Sequence, residues 1–282
     1  MYRFSCVIVS WNVKDYLRAC LRSIEAQDST HYETIVVDNN SHDGSSDSVH
    51  TFSHVRCISL EKNTGFAYAN NRGADMAQGE YLIFLNPDTV LPHNFFTHVS
   101  EYIDRNPGHT FFGPKIVNPD GSLQPSVRRL PTLSDQLFRM MRLQYVFPHV
   151  RVWRNYMAQG FNYENDHEVE QIMGACMVIR KDVFITLGGF DERFFLWFEE
   201  VDLCRRALHE GVHVWYTPHA HLTHYGGRSF AQMSPHKDML FSMSLVRYFM
   251  NARMYFSALV IFLVSPFSLC FAYLGQLSTK RG

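Results

Sequence analysis

The chain has almost no net charge: 26 Lys and Arg against 27 Asp and Glu leave a formal −1 over 282 residues. Nucleic-acid binding rests on a clear basic surplus, so this balance gives no electrostatic case for such a partner. Cysteine is sparse and scattered, at positions 6, 20, 57, 176, 204 and 270, with no CxxC motif. Isolated thiols inside apolar runs read as reduced core residues from a cytosolic setting, which excludes a disulfide framework. A secretory leader is not expected either, because the apolar run in "MYRFSCVIVSWNVKDYL" is short and charges follow at once; a first strand is expected there instead. Repeats, low-complexity tracts and an obvious linker are missing as well. What is abundant is apolar and aromatic material, 46% and 15% of the chain with 23 Phe, enough for a sizeable core and no sign of general disorder.

One long uncharged run stands out. Residues 254–275, "MYFSALVIFLVSPFSLCFAYLG", lie between Arg253 and Lys280-Arg281 and are long enough to span a bilayer. Pro266 and several serines interrupt the run, and a helix packed on the domain is the plainer alternative. The expectation is membrane attachment through this tail, as a span, a re-entrant hairpin or an interfacial helix.

Strand-like apolar runs recur at 4–10, 34–38, 55–60 and 81–85. Between the first two, Val13, Tyr16, Leu17, Cys20, Leu21 and Ile24 fall at helical spacing behind Asn12 as a possible N-cap, and 66–77 is a second helical stretch. Strand and helix alternating at this interval predict βαβ units and a parallel sheet covered on both faces. Ligands of such sheets bind beyond the carboxyl ends of the strands. Those ends read Ser10-Trp11-Asn12, "VVDNNSHDGSS" with Asp38 last in its strand, "EKNTGFAYANNRG" and Asn86-Pro87-Asp88. Any one of them is ordinary turn chemistry. Four in succession place polar groups along one edge.

The second half is less regular. Residues 118–165 read as loop with a short helix near 133–143, 169–180 as one buried strand, 199 onward as a helix, and 212–227 as two short strands. Three side-chain groups in the chain bear on chemistry. Asp88, held by a proline at a strand end, can ligate a hard divalent cation and leave positions for phosphate oxygens. Glu199, Glu200 and Asp202 sit at a helix start, where the dipole alone favours carboxylates and where one of them can also act as a general base. His219, His221 and His224 resemble a zinc site on a strand, but no further Cys or His at ligand spacing completes it. One of these histidines meeting Asp88 at a shared metal is more economical.

Together "VIVSWNVKDYLRACLRSI", "TIVVDNNSHDGS", "NTGFAYANNRGADMAQGEYLIFLNPDTVL", "GPKIVNPDGSLQPSVRRLPT", "GACMVIRKDVFITLGGFDERFFLWFEEVDLCRRAL" and "HLTHYGG", in order from about residue 4 to 227, resemble glycosyltransferase family 2, most of all its bacterial rhamnosyltransferase-like branch. The resemblance implies a GT-A fold: a Rossmann-like, mostly parallel central sheet flanked by helices, here with a hydrophobic helical tail. It implies a domain over 1–245, divided near 117 into a nucleotide-sugar half and an acceptor half, with 246–282 as the tail. It further implies inverting transfer from a nucleoside-diphosphate sugar, dTDP-rhamnose or a UDP-sugar, to a hydroxyl of a glycan or polyprenyl-linked glycan. A divalent cation, Mg²⁺ or Mn²⁺, would assist, at the cytoplasmic face of the inner membrane during surface-polysaccharide synthesis.

Residue by residue, the resemblance assigns Asp38 to the pyrimidine base, and Ser10, Asn63, Gly65, Asn70 and Asn86 to the donor pocket. Asp88 takes the place of the last, metal-binding acid of the family's DxD motif, and His224 that of a histidine completing the metal site. Glu200, or its neighbour Glu199, stands where the catalytic base lies, and Trp197 and Asp202 are candidates for holding the acceptor. Two departures matter: Asn86 replaces the first acid of DxD, and Glu200 replaces a more usual Asp. A sugar-nucleotide nucleotidyltransferase would share the Rossmann-like half, but it needs a glycine-rich basic loop after the first strand, and "SWNVKDYL" is not one. A non-catalytic scaffold of the same fold is expected to lose Asp88 or the acids at 199–200, and all are present.

Overall fold

The computed structural model describes residues 2–227 and 237–279, the side chains of 269–279 excepted. Strand β1 (Phe4–Ser10) leads into helix α1 (Lys14–Glu25), whose Leu17, Cys20, Leu21 and Ile24 form the buried stripe expected from their spacing. Then follow β2 (Tyr32–Asp38), α2 (Ser45–Val49), β3 (Val55–Ser59), α3 (Phe66–Met76) and β4 (Tyr81–Leu85). These four strands are all parallel, in the order β3-β2-β1-β4. Their side chains alternate between two cores. Val7, Val9, Ile35, Val37, Leu82 and Phe84 pack on one face, and Cys6, Ile8, Val36, Ile83 and Leu85 on the other. Burial on both faces explains why the strands read as unbroken apolar runs.

Beyond β4 the direction changes. After β5 (Thr89–Val90) and α4 (Phe95–Arg105) come β6 (Phe111–Val117), β7 (Val127–Arg128), α5 (Leu133–Met140), α6 (Arg151–Tyr156), β8 (His167–Val169), β9 (Gln171–Ile172) and β10 (Cys176–Arg180). Strand β10 runs antiparallel between β4 and β6, so the sheet is mixed rather than wholly parallel. Helices α7 (Lys181–Thr186) and α8 (Glu199–His209) precede β11 (Val214–His224), which pairs with β6, β8 and β5 to finish a nine-stranded sheet.

Local chemistry accounts for several boundaries. Thr132 and Asp135 form a capping box at the start of α5. The single strand expected over 169–180 is broken at Glu170 and again at Met173-Gly174-Ala175, which separates β8, β9 and β10. The two strands expected over 212–227 are one, with a register shift between Thr217 and His221 around Pro218, the bulged position at which a strand tolerates proline. Asn12 does not cap α1: Val13 holds that position, and Asn12 adopts φ +52° with its side chain bound to the next loop.

The five described cysteines are free; burial pushes the thiols of Cys20 and Cys204 up to about 12, so they are packing groups at neutral pH. Helix α9 (Lys237–Asn251) spans position 245, where the sequence reading divides domain from tail, and packs on α10 (Tyr255–Thr279). The expected membrane span is not met: among the described residues no helix is long and apolar enough to cross a bilayer. Instead α10 buries Ala258 and Ile261 against the domain, and Ser268 Oγ donates to the Met140 carbonyl at the end of α5. Its outer face leaves Phe256, Leu259, Phe262, Leu263 and Phe267 exposed.

Candidate active site

Ser10 and Asp38 end β1 and β2 as register partners, both buried. Asp38 Oδ2 accepts from the Ser41 amide at 2.9 Å, while Asp38 Oδ1 and Ser10 Oγ have no partner among the described residues. A buried polar atom left unpaired costs about 1–3 kcal/mol, so these two, at the ends of neighbouring strands, are positions that a hydrogen-bonding partner would relieve. The loop around them is tied down by hydrogen bonds: Asn12 Oδ1 accepts from the His42 amide at 2.7 Å, and the Lys14 amide donates to Asp43 Oδ2 at 2.8 Å.

The neighbouring loop is organised by Asn39, to which the sequence reading gave no role. Its Nδ2 donates to Asn63 Oδ1 at 2.9 Å and to the Gly65 carbonyl at 3.1 Å, and its Oδ1 accepts from the Thr64 amide at 2.8 Å. Gly65 has φ +86°, and a Cβ there would lie 2.2 Å from the Phe195 carbonyl oxygen, which also accepts from the Phe66 amide at 2.8 Å. The requirement for glycine is therefore both conformational and steric. This contact clasps the first half of the chain to the segment leading into Glu199. Asn70, also buried, donates back to the Phe66 carbonyl of its own helix at 3.0 Å.

Asn86-Pro87-Asp88 turns from β4 into β5, which pairs with the end of β11 through Thr89 and His224. The Tyr225 amide donates to the Asp88 carbonyl at 2.9 Å, which locks the two segments together. Asp88 and His224 are both buried, with Asp88 Oδ1 3.3 Å from His224 Nε2; Asn86 Nδ2 lies 3.4 Å from the same nitrogen. The far side of the ring is held by Gln124, Nδ1 to Oε1 at 2.7 Å. A chain of fixed acceptors sets the orientation. Asn118 Nδ2 faces Ser122 Oγ and the Leu123 carbonyl, so Asn118 Oδ1 accepts from Gln124 Nε2 at 2.7 Å. Gln124 Nε2 also faces the His224 carbonyl, which leaves Oε1 for the imidazole N–H. In the neutral ring, Nε2 is then a lone pair aimed at a carboxylate, an arrangement that a shared cation relieves.

The 3.3 Å spacing also fits two ligands on adjacent vertices of a hard cation with bonds of about 2.1–2.4 Å. Among the described residues no group of three or more His, Cys, Asp or Glu side chains is placed to hold a metal, so a cation here would take its other ligands from elsewhere than such side chains. His219 and His221 lie on the exposed face of β11, opposite His224, and form no zinc site with it.

The main chain links this corner to the acids. The Asn86 amide donates to the Ala175 carbonyl at 2.9 Å, and adjacent Gly174 lies directly against Glu200, where a Cβ would come 3.5 Å from its side chain. Trp197 and Phe198 both adopt left-handed conformations, φ +65° and +70°, immediately before α8. For non-glycine residues such backbone costs on the order of 1–3 kcal/mol each, and it is typical of sites where orientation matters more than comfort. Glu199 is buried and Glu200 partly so, and each has an Oε2 without a partner among the described residues. Burial, and for Glu199 the neighbouring Glu200 as well, pushes both carboxyls above the usual range.

Of the two, Glu200 lines a cavity of about 140 Å³ together with Ser126, Arg128, Arg139, Gln171, Trp197 and Phe241. Asp202 is employed elsewhere: it receives Arg205 Nη2 at 3.0 Å and Arg206 Nε at 2.7 Å, and Arg206 in turn ties to the Gly189 carbonyl. The fold thus brings together Ser10 with Asp38, Asn63 with Gly65, Asn86 and Asp88 with His224, and Trp197 with Glu200. It leaves Asp202 in an ion-pair network outside that cavity and turns Asn70 toward its own helix. Gln124, Asn39 and Gly174 were missed because their work is done on other residues; the only trace in sequence is that they stand among the turn residues of "VVDNNSHDGS", "NPDGSLQPS" and "MGAC".

A mixed α/β sheet carries a carboxylate–imidazole pair at its edge and a cavity lined by Glu200 beside it. Residues 5–188 match glycosyl transferase family 2, and the chain belongs to that family; it is a glycosyltransferase. Residues 155–227 also match the family described as N-terminal domain of galactosyltransferase. Among curated relatives, the N-acetylglucosaminyl-diphospho-decaprenol L-rhamnosyltransferase of Mycobacterium tuberculosis is 28% identical over 235 residues, 79% of this chain and 76% of its own. The rhamnosyltransferase WbbL of Escherichia coli K12 is 28% identical over 242 residues, 79% of this chain and 85% of its own. Solved structures with the same fold include S. aureus TarS 1–349, with TM-score 0.56 and 18% identity over 90% of this chain and 73% of that one. GalNAc-T7, solved with UDP, GalNAc and Mn²⁺, gives TM-score 0.59 and 17% identity over 79% of this chain and 44% of that one.

Proposed function

We propose that the protein transfers a sugar, with inversion, from a nucleoside-diphosphate sugar to a hydroxyl of a glycan or lipid-linked glycan during surface-polysaccharide synthesis. The donor is dTDP-rhamnose or a UDP-sugar. The observation that carries this reading is the pairing of Asp88 with His224 at the sheet edge, one main-chain link away from the cavity holding Glu200. The paired, unsatisfied Ser10 and Asp38 suit the edge of a pyrimidine base, which offers both a donor and acceptors. Asn39 holds Asn63 and Gly65 in the loop that closes the donor pocket, with Asn70 and Asn86 at its borders.

Asp88 and His224 would hold a divalent cation, Mg²⁺ or Mn²⁺, which when bound offsets negative charge on the diphosphate. The rest of the chemistry belongs to the chain itself. Glu200 Oε2 accepts the acceptor's hydroxyl proton as that oxygen attacks the anomeric carbon opposite the departing diphosphate. Trp197, which lines the same cavity, provides an apolar face for the acceptor sugar. Glu199 is buried beside it, and burial together with the neighbouring Glu200 raises the proton affinity of Glu199. The outer face of α10, with its exposed Phe and Leu residues, fits contact with the surface of a membrane at its cytoplasmic side.

Calorimetry tests this reading, with dTDP-rhamnose, UDP-galactose, UDP-glucose and GDP-mannose titrated with and without Mn²⁺. Metal-dependent binding of one thymidine or uridine donor is the expected result. Folded protein that binds none of them, or binds GDP-mannose alone, would overturn it.

A further inference from the structure

The turn that precedes Glu200 does not hold itself. Trp197 and Phe198 are bulky residues in consecutive left-handed conformations, and such backbone persists only where its surroundings fix it. The donor loop supplies one hold, through the Phe66 amide on the Phe195 carbonyl at 2.8 Å. Helix α9 supplies the next. Its buried Ser244 donates from Oγ to the Leu196 carbonyl at 2.7 Å, and no other donor among the described residues reaches that oxygen. Two successive carbonyls are thus gripped by two different elements.

Ser244 departs from the habit of helical serines. Ser242 and Ser265 spend their hydroxyls on the carbonyls four residues back in their own helices, at 2.9 and 2.7 Å. Ser244 reaches out of its helix to a residue 48 positions away. Its neighbours do the same. Phe241, Ser244, Tyr248 and Asn251 recur at spacings of three and four, so they share one stripe of α9. The Phe241 ring lies 6.0 Å from Trp197 and 5.2 Å from Phe198, and the Tyr248 ring 5.7 Å from Phe198. Asn251 Oδ1 accepts from Arg193 Nη2 at 2.9 Å; its Nδ2 donates to Asp191 Oδ2 at 2.8 Å and faces Asp202 Oδ1 at 3.4 Å. The stripe therefore braces the chain from Asp191 to Asp202, with Glu200 inside that stretch. Residues 237–251 lie beyond both family matches, which end at 188 and 227.

We propose that Ser244 is a positioning residue for sugar transfer: by holding the Leu196 carbonyl it fixes the Trp197-Phe198 turn, and the turn sets where Glu200 points in its cavity. The inference rests on the assignment of Glu200 as the base. Ser244 does not line that cavity and acts only through the turn. A base works only within hydrogen-bond reach of its proton, so a small displacement costs rate rather than donor binding. The donor loop keeps its own supports at Asn39.

Release of nucleoside diphosphate from dTDP-rhamnose, UDP-galactose and UDP-glucose, with water as acceptor, supplies the rate. Water adds to the anomeric carbon, Glu200 takes its proton and the diphosphate leaves with the electron pair of the broken C–O bond. Ser244→Ala should lower kcat about tenfold or more and leave the donor KM within about twofold. Ser244→Thr keeps the hydroxyl and should keep turnover, whereas Ser244→Val, of the same shape without it, should not. Ser242→Ala should match the wild type. Amide exchange read by mass spectrometry on the folded proteins should quicken over residues 194–202 in Ser244→Ala and Ser244→Val only, and this reading needs no turnover.

Unchanged exchange in Ser244→Ala overturns the inference, as does a wild-type kcat in that variant. A Thr variant as slow as the Val variant would also overturn it, because bulk and not the hydroxyl would then be at issue. Glu200→Gln separates the two readings. If it is inactive while Ser244→Ala is normal, the inference fails alone. If it turns over normally, the assignment of Glu200 fails and takes the aim of the turn with it.

Discussion

His224 donates its Nδ1 proton to Gln124 Oε1 at 2.7 Å, and so presents Nε2 to Asp88 Oδ1 at 3.3 Å. Gln124 holds the ring from the side away from Asp88; it chooses the tautomer. Replacing it with Leu removes that choice, and partners of this kind are worth about 10–100-fold in metal affinity. The Mn²⁺ affinity of the Gln124→Leu protein, measured by electron paramagnetic resonance with UDP present, should fall by at least about tenfold. Nitrogen-15 spectra of the metal-free protein should show His224 passing from a single Nδ1–H tautomer to a mixture. An unchanged tautomer would remove Gln124 from the site.

Glu200→Gln should keep donor binding and lose turnover by about 100-fold or more, the scale of general-base catalysis. Glu199→Gln should be milder, because Glu200 alone of the pair lines the cavity. Steady-state rates of the two variants decide it, and a dead Glu199→Gln with an active Glu200→Gln would exchange their roles.

The raised carboxyls also carry a pH signature. Their native pKa values lie above the unfolded ones, so between the two the native state holds more protons. Stability from this source is therefore present at low pH and is lost as pH rises through the native pKa. Glu199→Gln removes the burden, and its gain in Tm over wild type should be larger at pH 8 than at pH 5. Turnover should run the other way, with an acidic limb above the usual carboxylate range, since the base must be ionised.

Asp38→Ala should weaken nucleotide binding without unfolding the protein, since among the described residues Oδ2 accepts only from the Ser41 amide. Calorimetry with UDP and dTDP checks this; an unaltered Kd would take Asp38 out of the pocket.

Gly65→Ala should be far more damaging than a single methyl suggests. The new Cβ would meet the Phe195 carbonyl at 2.2 Å in a left-handed backbone, so the loop must move off the 195–198 segment. A Tm loss of several degrees and weaker donor binding together are expected. Loss of neither would mean that the loop is not clasped there.

The sequence alone determined the Rossmann-like first half. Its strands are buried on both faces and so read as plain apolar runs, and its loops carry polar residues wherever a strand ends. The places of Asp38, Asp88 and the acids at 199–200 at the ends of strands and at a helix start were legible for that reason: each lies at or beside the element that positions it. The sheet's second half was not, because β10 enters antiparallel between β4 and β6, and pairing between strands some sixty to a hundred residues apart leaves no local periodicity. The apolar run at the C-terminus read as a membrane attachment, whether span, re-entrant hairpin or interfacial helix, because its composition is uniform, whereas tertiary contact turns one of its faces onto α5 and α9.

Tertiary structure also decided which of two adjacent glutamates lines the cavity, since the left-handed turn at Trp197-Phe198 sets the phase of the helix that follows. It decided that Asp202 is paired with Arg205 and Arg206. And it joined Gln124 to His224 across a hundred residues, because a hydrogen bond of this kind is a property of two side chains meeting in space and of neither stretch of sequence by itself.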